Sequence, residues 1–171
     1  MFSKAINDAM NKQLNAETYS AYLYWSMEAY FKSQALDGFA NWMHIQAIEE
    51  MTHAMKFFNQ INERDGHIML EAIDKPQTEW PSPKDAFAAV YEHEQKVTAL
   101  IDDLMNMAVD ERDHASQGFL QWFVNEQVEE EASAKEICDK LELIGDNPQG
   151  LFMVDRELGS RAFTPPAAEE E

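Results

Sequence analysis

Glycine and proline, six of each in 171 residues, are spread so unevenly that they decide what this chain can build. Residues 4–34 and 39–65 contain neither, and from Lys84 to Leu143 the only one is Gly118. Proline removes a backbone donor and glycine weakens a helix interior, so clusters of them punctuate long helices. The spacing predicts four long helices at about 4–34, 38–65, 84–111 and 113–144. A short fifth is expected at about 147–160, with Asp146 or Asn147 as its cap and Pro148 in its first turn. Residues 161–171, ending Ala-Ala-Glu-Glu-Glu, read as a tail that is mobile at its tip.

Connection lengths then set the topology. Only a few residues around Ala35–Gly38 join the first two helices, and the third and fourth are equally close. Roughly eighteen residues separate the second from the third, enough to run the length of a bundle. Short, long, short predicts an all-α four-helix bundle with one crossover, carried by a single domain over residues 1–160.

Each long helix carries an apolar stripe at steps of three and four, and each stripe is broken near its middle. The third helix reads Phe87, Val90, Glu94, Val97, Ile101, Leu104, Ala108. The second reads Phe39, Met43, Gln46, Glu50, His53, Phe57, Ile61. The fourth reads Phe119, Phe123, Gln127, Glu130, Ala134, Ile137, Leu141, and the first Ile6, Met10, Leu14, Glu17, Ala21, Tyr24, with Phe31 continuing the face. In a bundle the four midpoints meet at about the same height. Buried ionised carboxylates cost several kcal/mol each and repel one another. No lysine or arginine stands in these stripes. Two divalent cations would match the four charges of Glu17, Glu50, Glu94 and Glu130, and His53, three residues after Glu50, adds a neutral nitrogen. Oxygen-rich ligation with one imidazole suits iron(II) or manganese(II) better than a closed zinc cage.

The overall charge agrees. Thirteen basic against 32 acidic residues give −19, which argues against nucleic-acid or anionic-membrane partners. At 45% apolar and 11% aromatic the chain can still form a real core. The lone Cys138 excludes an intrachain disulfide framework and fits a reducing, cytoplasmic setting. No apolar run reaches the ~20 residues of a spanning helix. The N-terminus enters an amphipathic pattern directly, so no secretory segment is expected.

Glu17, the run Glu49-Glu50-Met51-Thr52-His53, the run Tyr91-Glu92-His93-Glu94 and the run Glu126-Gln127-Val128-Glu129-Glu130-Glu131 resemble the non-haem ferritins of bacteria and archaea. Tyr19 to Tyr24, Phe119 to Phe123 and Asp155-Arg156-Glu157-Leu158 extend the resemblance over nearly the whole chain. It implies a ferritin-like fold and iron storage with ferroxidase activity, Fe(II) being oxidised by dioxygen or hydrogen peroxide at a di-iron centre. By position, Glu17, Glu50 and His53 would hold one iron, and Glu50 would bridge to a second held by Glu94 and Glu130. A third iron site would use Glu49, Glu126 and Glu129 with Glu130. Gln127 would hydrogen-bond beside the centre, and Tyr24 would donate an electron, serve as a core aromatic that hydrogen-bonds a ligand carboxylate, or do both. The family also implies a hollow homo-oligomer, normally of 24 subunits, with the fifth helix in assembly contacts.

Departures from related families narrow this. The fourth helix carries Gln127-x-x-Glu130 in place of a second E-x-x-H. Haem-containing bacterioferritins would place histidine where Glu130 stands, so no haem is expected, although Met51 falls where they use methionine. Rubrerythrins need a four-cysteine domain that Cys138 alone cannot build. The bland readings are that His44, His67, His93 and His114 are surface or loop histidines, and that Cys138 is a small buried residue. The four tryptophans are read mainly as packing. Asp110, Glu111 and Asp113 either line a cation pore or form a solvated helix end. Two rival functions stay open: a non-storage di-iron or di-manganese oxidase, and a non-catalytic cation-binding bundle.

Overall fold

The computed structural model describes residues 2–164; the Ala-Ala-Glu-Glu-Glu end of the expected tail lies outside them. Five helices follow in order: α1 (Lys4–Ser33), α2 (Asp37–Glu63), α3 (Pro83–Asp110), α4 (His114–Ile144) and α5 (Pro148–Leu158). Local chemistry fixes most of their starts. Ser3 accepts from the Ile6 amide, Ser82 from Asp85 just ahead of Pro83, Asp113 from Ser116, and Asn147 from Gln149 and Gly150. Asn147, not Asp146, is thus the cap of α5.

The α2 start is the exception, since its own N-cap, Leu36, offers no side-chain bond. Asp155 of α5 supplies it: Oδ1 accepts from Gly38 N at 2.8 Å and from Phe39 N at 3.1 Å. The approach is so close that a Cβ on Gly38 would lie 1.6 Å from the Asp155 carbonyl oxygen. Glycine is required there.

The 64–82 crossover is pinned along α1 by side chains spaced about a helical turn apart. Asn7 and Asn11 donate to His67 O at 3.1 and 2.9 Å, and their own amide oxygens accept from the backbone of His67 and Met69. Further along, Asn15 reaches Ala72 O and Ser26 reaches Gln77 O. The crossover therefore travels from the start of α1 towards its end, where Trp80 packs on Tyr30. As a result α3 begins at the same end of the bundle as α2, and the four helices run up, down, down, up.

Every stripe residue is buried except Phe119, which is partly covered while Leu120 fills the core beside it. The core is not continuous. One apolar cluster gathers Tyr24, Phe31, Phe39, Trp42, Phe87 and Ile137; the other gathers Met10, Leu14, Phe57, Ile101, Leu120 and Phe123. Along all four helices the boundary between them falls at the carboxylates.

Three expectations need correcting. His93 is largely buried: its Nε2 lies 2.8 Å from Ser20 Oγ and its ring meets Tyr19 and Tyr24, because a residue beside Glu94 on α3 turns toward α1. Asp113 is neither pore nor solvated end. It is buried, caps α4 and receives two 3.0 Å bonds from Arg64. Trp25, with Tyr22, stands about half exposed on α1, so only part of its ring packs within the chain. His44, His67 and His114 are exposed as expected. Cys138 is half-buried, its thiol donating to Phe87 O. Among the described residues no helix is long and apolar enough to cross a membrane.

Candidate metal centre

Between the two apolar clusters lies a polar layer to which all four long helices contribute. Glu17 comes from α1, Gln46, Glu50 and His53 from α2, Glu94 from α3, and Gln127 and Glu130 from α4; all are buried. Ligand atoms of Glu17, Glu50 and His53 lie within 4.8 Å of one another, and so do those of His53, Glu126 and Glu130. His53 is shared, with Nδ1 3.5 Å from Glu50 Oε2 and Nε2 4.0 Å from Glu126 Oε1. Its ring is held edge-on by Trp122 and Phe123.

Amides and a phenol hold the carboxylates. Gln13 donates to Glu17 Oε1 at 2.9 Å, and Gln46 donates to Glu130 Oε2 at 2.8 Å across the bundle. Tyr24 donates to Glu94 Oε1. Gln127 donates at 3.3 Å to Glu94 Oε2 and to the Thr98 hydroxyl, which in turn donates to Glu131 at 2.6 Å. Glu17 Oε2 and Glu50 Oε2 are buried without a hydrogen bond. Such orphaned acceptors are costly, and a cation between them would satisfy both.

Electrostatics point the same way. Burial, then the charge of Glu50, pushes the Glu17 carboxyl well above its ordinary range. Burial, then the charges of Glu94 and Glu130, does the same to Glu50. Glu94 is raised to about 8 by burial and by Glu130, against the opposing bonds from Tyr24 and Gln127. Desolvation and like charge therefore dominate wherever no counter-charge is supplied. No Lys or Arg is paired with these three residues among the described residues.

At the rim, Glu49 and Glu126 are partly buried, while Glu129 is exposed and is not drawn into either cluster. Glu49 is raised to about 7 by burial, opposed by Arg161. Arg161 had been placed in the tail, yet its Nη2 sits 2.6 Å from Glu49 Oε2. Met51 lies partly exposed on α2.

Residues that sequence reasoning did not place at the site are Gln13, Gln46, Thr98 and Arg161. Gln46 carried a signal, being a polar member of a core stripe one turn before Glu50. Gln13 stands four residues before Glu17, the spacing of a helical hydrogen-bonded pair. Nothing in the sequence linked Arg161 to Glu49.

The Ferritin-like domain family matches residues 7–144. The chain belongs to the ferritin family. A curated bacterial non-heme ferritin from Bacteroides fragilis is 44% identical over 161 residues, spanning 94% of this chain and all of that protein. A bacterial non-heme ferritin from Campylobacter jejuni is 37% identical over 164 residues, 96% of this chain and 98% of the relative. The solved open-pore ferritin of the hyperthermophilic archaeon Archaeoglobus fulgidus superimposes with a TM-score of 0.94 at 51% identity, covering 95% of this chain and 100% of that one. The ferritin fold and a carboxylate-histidine group able to bind iron thus coincide in one chain.

Proposed function

We propose that this ferritin takes up Fe(II) at the four-helix polar layer, oxidises it and stores the ferric product inside a hollow homo-oligomer. The observation that carries the reading is the pair of buried oxygens on Glu17 and Glu50 that accept no hydrogen bond, in carboxylates with which no lysine or arginine among the described residues is paired. Two Fe(II) ions, as substrate, bring the four positive charges that Glu17, Glu50, Glu94 and Glu130 lack. Glu17, Glu50 and His53 hold one ion. Glu50 bridges to the second, held by Glu94 and Glu130. Glu49, Glu126 and Glu129 with Glu130 form a third, outer site.

With dioxygen, two Fe(II) and two protons give two Fe(III) and hydrogen peroxide. With hydrogen peroxide, two further Fe(II) and two protons give two Fe(III) and two waters. The carboxylates stabilise the added ferric charge more strongly than the ferrous, which favours oxidation. Gln46, Gln127 and Tyr24 keep their oxygens in place. Tyr24, buried against Glu94, is positioned to supply a further electron. Hydrolysis of each Fe(III) to ferric oxyhydroxide releases three protons, and the acidic surface draws in the next cations.

Exposed Phe152 and Met153 on α5, Leu143 on α4 and the Tyr22–Trp25 face of α1 support assembly, which we place at 24 subunits in the cytoplasm. The deciding experiment adds Fe(II) anaerobically, then oxygen, and follows oxygen consumption and ferric absorbance. Wild-type protein is expected to oxidise rapidly and Glu50→Ala slowly while still assembled. Undiminished initial oxidation in Glu50→Ala would remove the assignment of this centre. A particle mass near the 19.7 kDa monomer would remove storage.

A further inference from the structure

The polar layer treats its charges in two ways. Its inner carboxylates, Glu17, Glu50 and Glu94, are paired with no lysine or arginine among the described residues, whereas Glu49 at the rim has Arg161. We propose that Arg161 is the resident counter-cation of the outer site, and that a third iron is held on Glu49 only by displacing its guanidinium. The inference rests on the reading above that Glu49, Glu126 and Glu129 form that site.

Three features separate this contact from a casual surface pair, which contributes little. The two side chains are mostly sheltered, at 26% and 20% exposure, with Nη2 2.6 Å from Glu49 Oε2. The guanidinium lies over the Trp42 ring, 4.9 Å from its centroid. Its backbone is anchored as well: Asn41 donates to Arg161 O at 3.0 Å and to Leu158 O at 3.2 Å, fixing the chain as it leaves α5 against α2. An arginine so placed cannot lose its charge, since it does not deprotonate in proteins, so it can only be moved aside.

The consequence is a graded series of sites. The inner layer gains from every cation it binds, because nothing else neutralises it. At the rim an incoming ion must compete with a cation already present, so the third ion is held weakly enough to pass on towards the mineral. Arg161 is thus a positioning residue acting through Glu49, and its removal should trap the third metal.

Zn(II), which undergoes no oxidation, tests this in the full-length assembled protein by calorimetric titration after native mass has verified assembly. Arg161→Gln is expected to tighten the weakest class of site about tenfold, the scale of one lost charge-assisted bond, and to leave the tighter classes unchanged. Arg161→Lys keeps the charge but loses the planar stack, so it should fall between the two, and it carries the test if Arg161→Gln does not assemble. In Zn(II)-soaked wild-type crystals the guanidinium should have left Glu49 wherever the rim metal is bound. Weakest-site affinities that are equal in all three proteins, while Glu49→Gln abolishes that site, would overturn the role of Arg161 and leave the third site standing. A Glu49→Gln protein that titrates like wild type would overturn the third site itself, and the proposal with it.

Discussion

The phenol of Tyr24 on α1 donates its hydrogen bond to Oε1 of Glu94 on α3, joining two fully buried residues 70 positions apart in the chain. The contact lies where the apolar cluster of one bundle end gives way to the carboxylate layer. Burial, then the charge of Glu94, holds the Tyr24 proton well above its ordinary range. The edge of the His93 ring packs against the same tyrosine, and Ser20 fixes that imidazole. Burial lowers His93 to about 4, so it stays neutral beside the phenol at physiological pH.

Tyr24→Phe keeps the ring and removes the donor. Losing one buried hydrogen bond to a carboxyl should lower stability by about 1–3 kcal/mol, measured by denaturant unfolding of the metal-free protein. If Tyr24 gives an electron during oxidation, freeze-quenched wild type should show a tyrosyl radical signal that Tyr24→Phe lacks. A signal of equal size in the variant would assign the radical elsewhere.

Stability of the metal-free protein should fall as the pH rises through neutrality. Glu17, Glu50, Glu94 and Glu49 all have folded-state pKa values above the ordinary 4.5, so the folded chain keeps protons that the unfolded chain releases. Their contribution is complete below 4.5 and is lost as the pH climbs through about 7 for Glu49 and about 8 for Glu94. Calorimetric Tm values between about pH 5 and pH 8 should therefore decline. Zn(II) should flatten the decline, since it needs the deprotonated carboxylates. A triple Glu17→Gln, Glu50→Gln, Glu94→Gln variant should lose much of the slope; an unchanged slope would place its origin outside these three residues.

Much of this was legible in the sequence because helix periodicity is local. Glu17, Glu50, Glu94 and Glu130 each stand out against an apolar stripe of their own helix, so four independent local signals pointed to one layer. What stayed hidden depends on distant pairings. Leu36 and Asp37 give no hint that α2 is capped from α5, since Asp155 lies more than a hundred residues away. His93 read as surface because one residue's rotation off a stripe is within the error of a drawn helix. Asp113 read as one of three exposed acids because its partner, Arg64, belongs to the other end of the crossover. The E-x-x-H spacing placed His53 beside Glu50, but that it also faces Glu126 follows only from the packing of α2 on α4.

Asp113 gives a prediction of the opposite pH sign to the inner glutamates. Although burial alone would raise it, the bonds from Ser116 and Arg64 outweigh that and hold its carboxyl below the ordinary 3.8. Its stabilisation is therefore present above 3.8 and is lost as the pH falls through the lower folded-state value. Asp113→Ala removes a helix cap and leaves Arg64 unpaired, and should cost about 2–4 kcal/mol in denaturant unfolding at neutral pH. Asp113→Asn keeps the cap and should cost less. Equal losses would mean that capping contributes little and the ion pair nearly everything.

Gln46→Leu should separate folding from function in one substitution. The side chain is fully buried, donates to Glu130 Oε2 at 2.8 Å, and leaves its own Oε1 without a partner. Leucine has nearly the same size; it removes one orphaned acceptor, Gln46 Oε1, and leaves another, Glu130 Oε2, so the metal-free protein should change little in stability. Glu130, however, loses the donor that sets its orientation, and outer partners of metal ligands typically matter by about 10–100-fold in affinity or rate. Initial Fe(II) oxidation should slow on that scale while thermal unfolding of the metal-free protein changes little. If oxidation keeps its wild-type rate, Gln46 serves the fold alone and Glu130 is oriented by its backbone.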